Sequence, residues 1–109
     1  MFDKTYKLRY LSLFFQDLEE KLAYIAFDLQ APEAADDLLD AVEKAILKRQ
    51  TNAEAFERYF SLRDRRYPYY KIYVKNFVIY YVVIDDEGDD KIMEIRRFLH
   101  KAQNRDQIV

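Results

Sequence analysis

The chain has 109 residues, the length of one domain with a single core, and half of them are hydrophobic, which argues against a disordered chain. It has no Cys, so neither a disulfide framework nor a thiolate metal site can form. No stretch approaches the roughly 20 apolar residues of a membrane span, and the N-terminus has no apolar signal segment. We therefore expect a soluble, cytoplasmic protein.

The net charge of -2 conceals a strong segregation of charge along the chain. Residues 17–43 contain nine acidic side chains against one basic side chain, whereas residues 58–76 contain six basic side chains against one acidic. Residues 91–105 contain five basic side chains and one acidic side chain. Local charge determines what a surface binds, so the basic segments predict a surface that meets a polyanion. The alternative is that acidic helices and basic strands complement each other within the fold.

The first half of the chain predicts one strand followed by two helices. Apolar and cationic residues alternate from Tyr6 to Tyr10, which is the period of a half-exposed strand. From Phe14 to Leu29 apolar residues recur at steps of three and four, which predicts one helix face. Pro32 suits the first turn of a second helix, and Lys48 and Arg49 lie where the helix dipole favours cations. Two amphipathic helices joined this closely form a hairpin, which needs a sheet to cover its apolar stripe.

The second half predicts an irregular segment followed by three strands. Residues 50–68 mix apolar groups with a basic run, and we interpret them as a loop with room for one helical turn. The strands follow at 69–75, 77–85 and 91–99, separated by turns at Asn76 and at 85–90.

Period-two alternation assigns the strand residues to two faces of the sheet. The face that we expect the helices to cover carries Ile72, Val74, Met93, Ile95, Arg97 and Leu99. The face that we expect to remain open is cationic and carries Lys71, Lys75, Glu94, Arg96, Phe98 and His100.

Four segments, taken in order, resemble one known family. They are YKLRYLS at 6–12, the acidic helices of 17–46 with their PEAA junction, YVKNFVIYYVV at 73–83, and IRRFLH followed by NRD at 95–106. The family is the RelE/ParE toxins of bacterial type II toxin–antitoxin systems. The resemblance covers nearly the whole chain and implies one toxin domain over residues 1–109. It also implies an α+β fold with the order β-α-α-β-β-β, in which an antiparallel sheet packs against a helical hairpin.

The resemblance implies a cognate antitoxin as partner, but members of the family differ in their targets. RelE-like toxins cleave mRNA on the ribosome, ParE-like toxins inhibit DNA gyrase by binding, and some relatives are inactive. Three hypotheses follow: a metal-independent endoribonuclease, which we place first, a toxin that acts by binding alone, and a degenerate toxin that retains only antitoxin binding. In each case we expect an acidic antitoxin tail to be attracted to the basic strands.

RNA cleavage needs a base for the 2′-hydroxyl, an acid for the leaving oxygen and cations for the developing charge. His100 is the candidate acid or base, because imidazole changes charge near neutral pH. The candidate catalytic cations are Lys71, Arg96 and Arg97. The wider set that we predict to bind nucleic acid is Arg63, Arg65, Arg66, Lys75, Lys101 and Arg105. No metal-ligand spacing, phosphate-cradling Gly loop or nucleophile elbow is present, so we expect no cofactor.

Two positions depart from the nuclease pattern. RNA-cleaving relatives place an Arg near the start of the middle hairpin strand, where this chain has Phe77. Their C-terminal catalytic Tyr has no clear counterpart after His100. A strand-end histidine bound to a loop is therefore the alternative role for His100. Core packing is likewise the alternative for the tyrosines of 67–81, which are otherwise candidates for base stacking.

Overall fold

The computed structural model describes residues 6–59 and 66–103, and its helices and strands lie within those two ranges. Seven helices and strands follow in chain order: β1 (Lys7–Tyr10), α1 (Ser12–Ala23), α2 (Pro32–Arg49), β2 (Arg58–Tyr59), β3 (Tyr69–Val74), β4 (Phe77–Ile84) and β5 (Ile92–His100). A π-helical turn at Tyr24–Asp28 extends α1. The predicted α+β class is confirmed, and the predicted element order recurs with one addition, the two-residue strand β2.

The five strands form one sheet in the order β1-β5-β4-β3-β2. β3, β4 and β5 are antiparallel neighbours, as predicted. β1 runs parallel to β5, from Lys7 opposite Ile92 to Tyr10 opposite Ile95, so the sheet is mixed rather than wholly antiparallel. A parallel pair needs a long crossover, and the chain between β1 and β5 includes the helical hairpin and the other three strands.

The helical hairpin follows strong local signals. Pro32 begins α2, and Glu33 lies in its first turn. Lys48 and Arg49 lie in its last turn, where their positive charges interact favourably with the helix dipole. Gln30, between the helices, has a φ of 52°, the left-handed conformation that often ends a helix. Within the described chain, no helix is both long enough and apolar enough to cross a membrane.

The larger core lies between the helices and the sheet. The predicted contact of Leu18, Val42 and Ile46 with the sheet is confirmed, because all three are buried in one cluster with strand residues. Leu22 and Ile25 pack at its margin. The strand residues of this cluster are Tyr70, Ile72, Val74, Ile79, Tyr81, Val83, Met93, Ile95 and Phe98.

The opposite face of the sheet is not the open cationic surface that alternation predicted. It contains a second apolar cluster whose members are at most 4% exposed: Tyr69, Val78, Tyr80, Val82, Ile84 and Leu99. The prediction was wrong because β4 reads FVIYYVVI, a run that is apolar on both faces. Such a run is typical of a strand buried on both sides.

A β-bulge in β5 explains where the alternation failed. Tyr81 pairs with Ile95 and Tyr80 pairs with Arg97, so Arg96 is an extra residue between them. One extra residue reverses the side to which every later side chain points. Phe98 therefore joins the helix-covered cluster and Leu99 the opposite one, contrary to the predicted assignment.

Candidate functional site

His100 ends β5 directly opposite Phe77, the residue at the expected Arg position. The two rings meet edge to face with centroids 5.5 Å apart, and Phe77 stacks on Phe98 at 4.9 Å. His100 Nδ1 accepts a hydrogen bond from the backbone N–H of Ala102 at 3.1 Å. The backbone N–H of His100 donates to Gln103 Oε1 at 2.6 Å. These are the contacts of a strand-end histidine bound to the following loop, and they leave Nε2 as the position for the proton in the neutral ring.

His100 and Phe77 form one wall of an apolar groove of about 870 Å³. The other wall is the end of α1 and its π-helical turn, where Tyr24, Phe27 and Leu29 are 49%, 77% and 57% exposed. π-helical turns are rare in proteins, and those that do occur are frequently found at functional sites. The charged residues that line this apolar groove are Glu20, Lys21 and Asp28.

Arg96 and Arg97 are each held by a buried carboxylate. Arg97 donates from Nε and Nη2 to the two carboxylate oxygens of Asp17, at 2.8 and 2.9 Å. This pairing raises the pKa of Arg97. Arg96 donates from Nε to Glu94 at 2.8 Å, and its guanidinium lies 5.9 Å from the centroid of the Tyr69 ring. Tyr69 belongs to the second apolar cluster, so Arg96 lies on the face opposite the apolar groove.

Glu94 is 4% exposed and binds a second cation as well. Arg9 of β1 donates from Nε to Glu94 at 2.6 Å, so this carboxylate bridges Arg9 and Arg96 across neighbouring strands. A carboxylate shared between two cations reduces the charge that either offers to a ligand. The complementarity between acidic helices and basic strands that the sequence left as an alternative is present in the pair of Asp17 on α1 with Arg97 on β5.

Lys71 lies apart from the other three candidate catalytic residues. It belongs to β3, which β4 separates from β5, and its Nζ lies 4.0 Å from the centroid of the Tyr59 ring. The structure therefore does not bring Lys71, Arg96, Arg97 and His100 around one phosphate. Alternation predicted that Arg96 and His100 share a face of the sheet, and the bulge at Arg96 is the physical reason that they do not.

The family model of the ParE toxins of type II toxin–antitoxin systems (parDE) matches residues 8–105. The chain belongs to this family. No curated protein sequence matches it significantly. Family membership identifies the chain as a type II toxin–antitoxin toxin and implies a cognate antitoxin as its partner.

Three of the cations predicted to bind nucleic acid in this ParE-family toxin lie outside the described residues: Arg63, Arg65 and Arg105. A fourth, Arg66, is paired with Asp86 at 2.5 Å on the exposed surface. The hydroxyl of Tyr67 also donates to Asp86. The hydrogen bonds from Tyr67 and Arg66 lower the pKa of Asp86, which keeps the partner of Arg66 ionised.

Lys75 and Lys101 lie at the same end of the sheet. Lys75 occupies the two-residue turn between β3 and β4 with a φ of 53°, and the backbone N–H of Lys101 donates to the Asn76 carbonyl in that turn at 2.9 Å. Both lysines are exposed. They are available to an anionic partner at this end.

Most of the tyrosines considered for base stacking are in the core of the ParE-family fold, as the alternative predicted. Four of them are at most 6% exposed: Tyr69, Tyr70, Tyr80 and Tyr81. Tyr73 differs, because it is 66% exposed. Across residues 6–59 and 66–103, no three His, Asp or Glu side chains come together in a way that could hold a metal ion.

Sequence reasoning missed a cationic and aromatic corner between the end of α2 and β3. Arg49 was assigned only to the helix dipole, yet its guanidinium lies 3.4 Å from the centroid of the Phe56 ring. Arg58 and Tyr59 form the short strand β2 beside it. Two residues are too few to display a strand period, so the only sequence signal was the mixture of basic and aromatic residues at 56–59.

Proposed function

We propose that this ParE-family toxin arrests growth by binding a protein target, DNA gyrase, rather than by cleaving mRNA. Phe77 carries the proposal. A nuclease needs a cation where charge develops on the phosphate, and a phenyl ring cannot supply one. Phe77 instead stacks on Phe98 and lines the apolar groove together with His100.

The pairing of the remaining cations supports the same proposal. Arg97 is bound to Asp17 and Arg96 to Glu94, so both guanidinium groups have carboxylate partners in the free protein. A transition state would have to compete with those partners. Catalytic electrostatics work best with donors already aimed at the developing charge, and these donors are aimed elsewhere.

The apolar groove has the features of a protein-binding surface. Exposed aromatic and aliphatic side chains that line a concave surface are the usual anchors of a protein partner. Phe27 is 77% exposed and Leu29 is 57% exposed, which is an unfavourable arrangement for a surface that meets only water. We infer that gyrase contacts this groove.

The antitoxin is a separate partner in this proposal. The predicted attraction of an acidic tail to the sheet needs exposed cations, and the turn end of the sheet offers Lys75 and Lys101. We propose that the tail contacts this end. Such steering weakens as salt concentration rises, which can be measured as a fall in the association rate.

Inducible expression with two readouts tests the proposed target. Expected are growth arrest, loss of negative supercoils from a reporter plasmid, and mRNA that stays uncut when its 5′ ends are mapped. Cleaved mRNA with unchanged supercoiling would contradict the proposal. In that case His100→Ala should lower cleavage by about 100-fold, the usual contribution of an acid or base group. Continued growth in the presence of folded, antitoxin-binding protein would identify a degenerate toxin.

A further inference from the structure

A second concave site lies where the end of α2 meets β2 and β3, away from the apolar groove. It consists of two adjoining cavities of about 300 and 480 Å³. Arg49, Phe56 and Tyr73 line both cavities, so the two form one continuous surface. None of these three residues belongs to the candidate catalytic set.

Arg49 is fixed in place at the centre of this α2–β3 site. Its Nη1 donates to the Lys71 carbonyl at 3.1 Å and to the Tyr81 hydroxyl at 2.9 Å. Its guanidinium also stacks on Phe56. Within residues 6–59 and 66–103, Nε and Nη2 make no further hydrogen bond. A guanidinium held in this way presents a rigid pair of donors that matches two oxygens of a phosphate.

The charge of the α2–β3 site favours an anion. Among the residues that the structure describes, the cations that line the site are Lys48, Arg49, Arg58 and Lys71, and the carboxylate is Glu57. Lys71 lies against the Tyr59 ring, which keeps its ammonium group beside the cavity. Several cations at the wall of a concave surface concentrate anions from solution.

Tyr73 adds a second kind of contact. Tyr73 is 66% exposed and lines both cavities, whereas the tyrosines before it on β3 are buried. An exposed ring beside several cations is the arrangement with which proteins stack a base while holding its phosphate. An acidic peptide would use the cations but would leave this ring without a partner.

We propose that the α2–β3 site binds a nucleotide phosphate, with the phosphate on the Nε and Nη2 edge of Arg49 and the base on Tyr73. This site is separate from the apolar groove, so the nucleotide proposal and the gyrase proposal can each be true or false without the other. The same chemistry is offered by a free nucleotide and by a single-stranded nucleic acid, and the two sources can be distinguished by experiment.

The test uses the purified full-length chain. A fluorescently labelled single strand of about ten nucleotides is titrated by anisotropy, and AMP and inorganic phosphate are titrated by calorimetry. Binding of the strand without AMP identifies nucleic acid as the source, and binding of AMP identifies a free nucleotide. Either result supports the site. Failure of all three probes to bind at about 50 mM salt overturns it.

Three variants locate the binding. Tyr73→Ala, at an exposed position, should weaken binding of the strand about fivefold or more through lost stacking. Arg49→Lys keeps the charge but loses the planar pair of guanidinium donors, so it should weaken binding about tenfold. Lys48→Gln should weaken binding more than Lys44→Gln, a matched control on the same helix that lines neither cavity.

Two further outcomes would overturn the proposal. One is equal weakening by Lys48→Gln and Lys44→Gln with no effect of Tyr73→Ala, which would indicate attraction to the surface charge alone. The other is displacement of the strand by a polyglutamate peptide at equal charge concentration, which would indicate an acidic peptide as the ligand. If Arg49→Lys fails to fold by circular dichroism, the exposed variants at Tyr73 and Lys48 decide the test.

Discussion

Asp17 of α1 accepts hydrogen bonds from Arg97 of β5 through both of its carboxylate oxygens. The same carboxylate accepts the backbone N–H of Phe98 at 3.0 Å. β1 pairs with β5 only as far as Ile95, so this N–H lies on an edge of β5 that no strand covers within the described chain. Asp17 supplies the missing acceptor, and it ties the first helix to the sheet.

Replacing Asp17 by Ala should lower the free energy of unfolding by about 1.5 to 3 kcal/mol. The change leaves the half-buried Arg97 guanidinium and the Phe98 N–H without their acceptor. Urea denaturation measures the loss. The control is Glu19→Ala, at an exposed position two residues further along the helix, which should change stability by less than about 0.5 kcal/mol. Equal stabilities of the two variants would show that the Asp17 contacts contribute nothing.

The contrast between Pro32 and Arg96 explains how much of the fold the sequence could predict. Pro32 and the cations of the last turn of α2 are local signals, and the helix has the expected bounds. A bulge gives no such signal. Arg96 and Arg97 are chemically alike, so alternation could not reveal that one of them is an extra residue. Every face assignment after that point was reversed.

The candidate site was harder to predict because its decisive contacts are distant in sequence. Arg97 and Asp17 are separated by 80 residues, and nothing in either local pattern links them. The pattern identified Arg97 as a cation but did not identify Asp17 as the carboxylate that binds it. The burial of both faces of the sheet, by contrast, could have been predicted from the unbroken apolar run of β4. The face assignment missed it because it used only the alternation on the neighbouring strands.

Two Leu→Ala variants test whether the sheet has a core on both faces. Leu38 of α2 is 1% exposed in the core between the helices and the sheet, and Leu99 is 1% exposed in the cluster on the other face of the sheet. Each substitution should lower the free energy of unfolding by about 2 to 5 kcal/mol, because each leaves a cavity. Leu47→Ala, at a 51% exposed position, is the control. A Leu99→Ala variant as stable as the control would contradict the second core.

Tyr81 should make stability depend on pH in the alkaline range. Burial raises the pKa of Tyr81 from 10.0 to about 12, and its hydroxyl donates to the Ala53 carbonyl at 2.6 Å. The unfolded chain therefore loses this proton first as the pH rises. The contribution of about 2 to 3 kcal/mol is complete below pH 10 and is lost as the pH rises towards 12.

The measurement compares wild type with Tyr81→Phe by urea denaturation at several pH values in that range. The variant also loses the hydrogen bonds of the hydroxyl, so it should be less stable than wild type below pH 10. Its deficit should shrink as the pH rises, because it has no proton to lose at this position. A deficit that stays constant over the whole range would contradict the raised pKa.

Phe27 is the sharpest test of the apolar groove. Because it is 77% exposed, Phe27→Ser should leave the fold and the unfolding midpoint unchanged. If Phe27 anchors the target, the same change should weaken gyrase binding by about 30-fold, which corresponds to about 2 kcal/mol for an aromatic hot spot. Titration of labelled toxin with purified gyrase measures this loss. Leu47→Ser removes an exposed apolar side chain outside the groove and should bind as wild type does. If both variants bind gyrase equally well, gyrase does not use this groove.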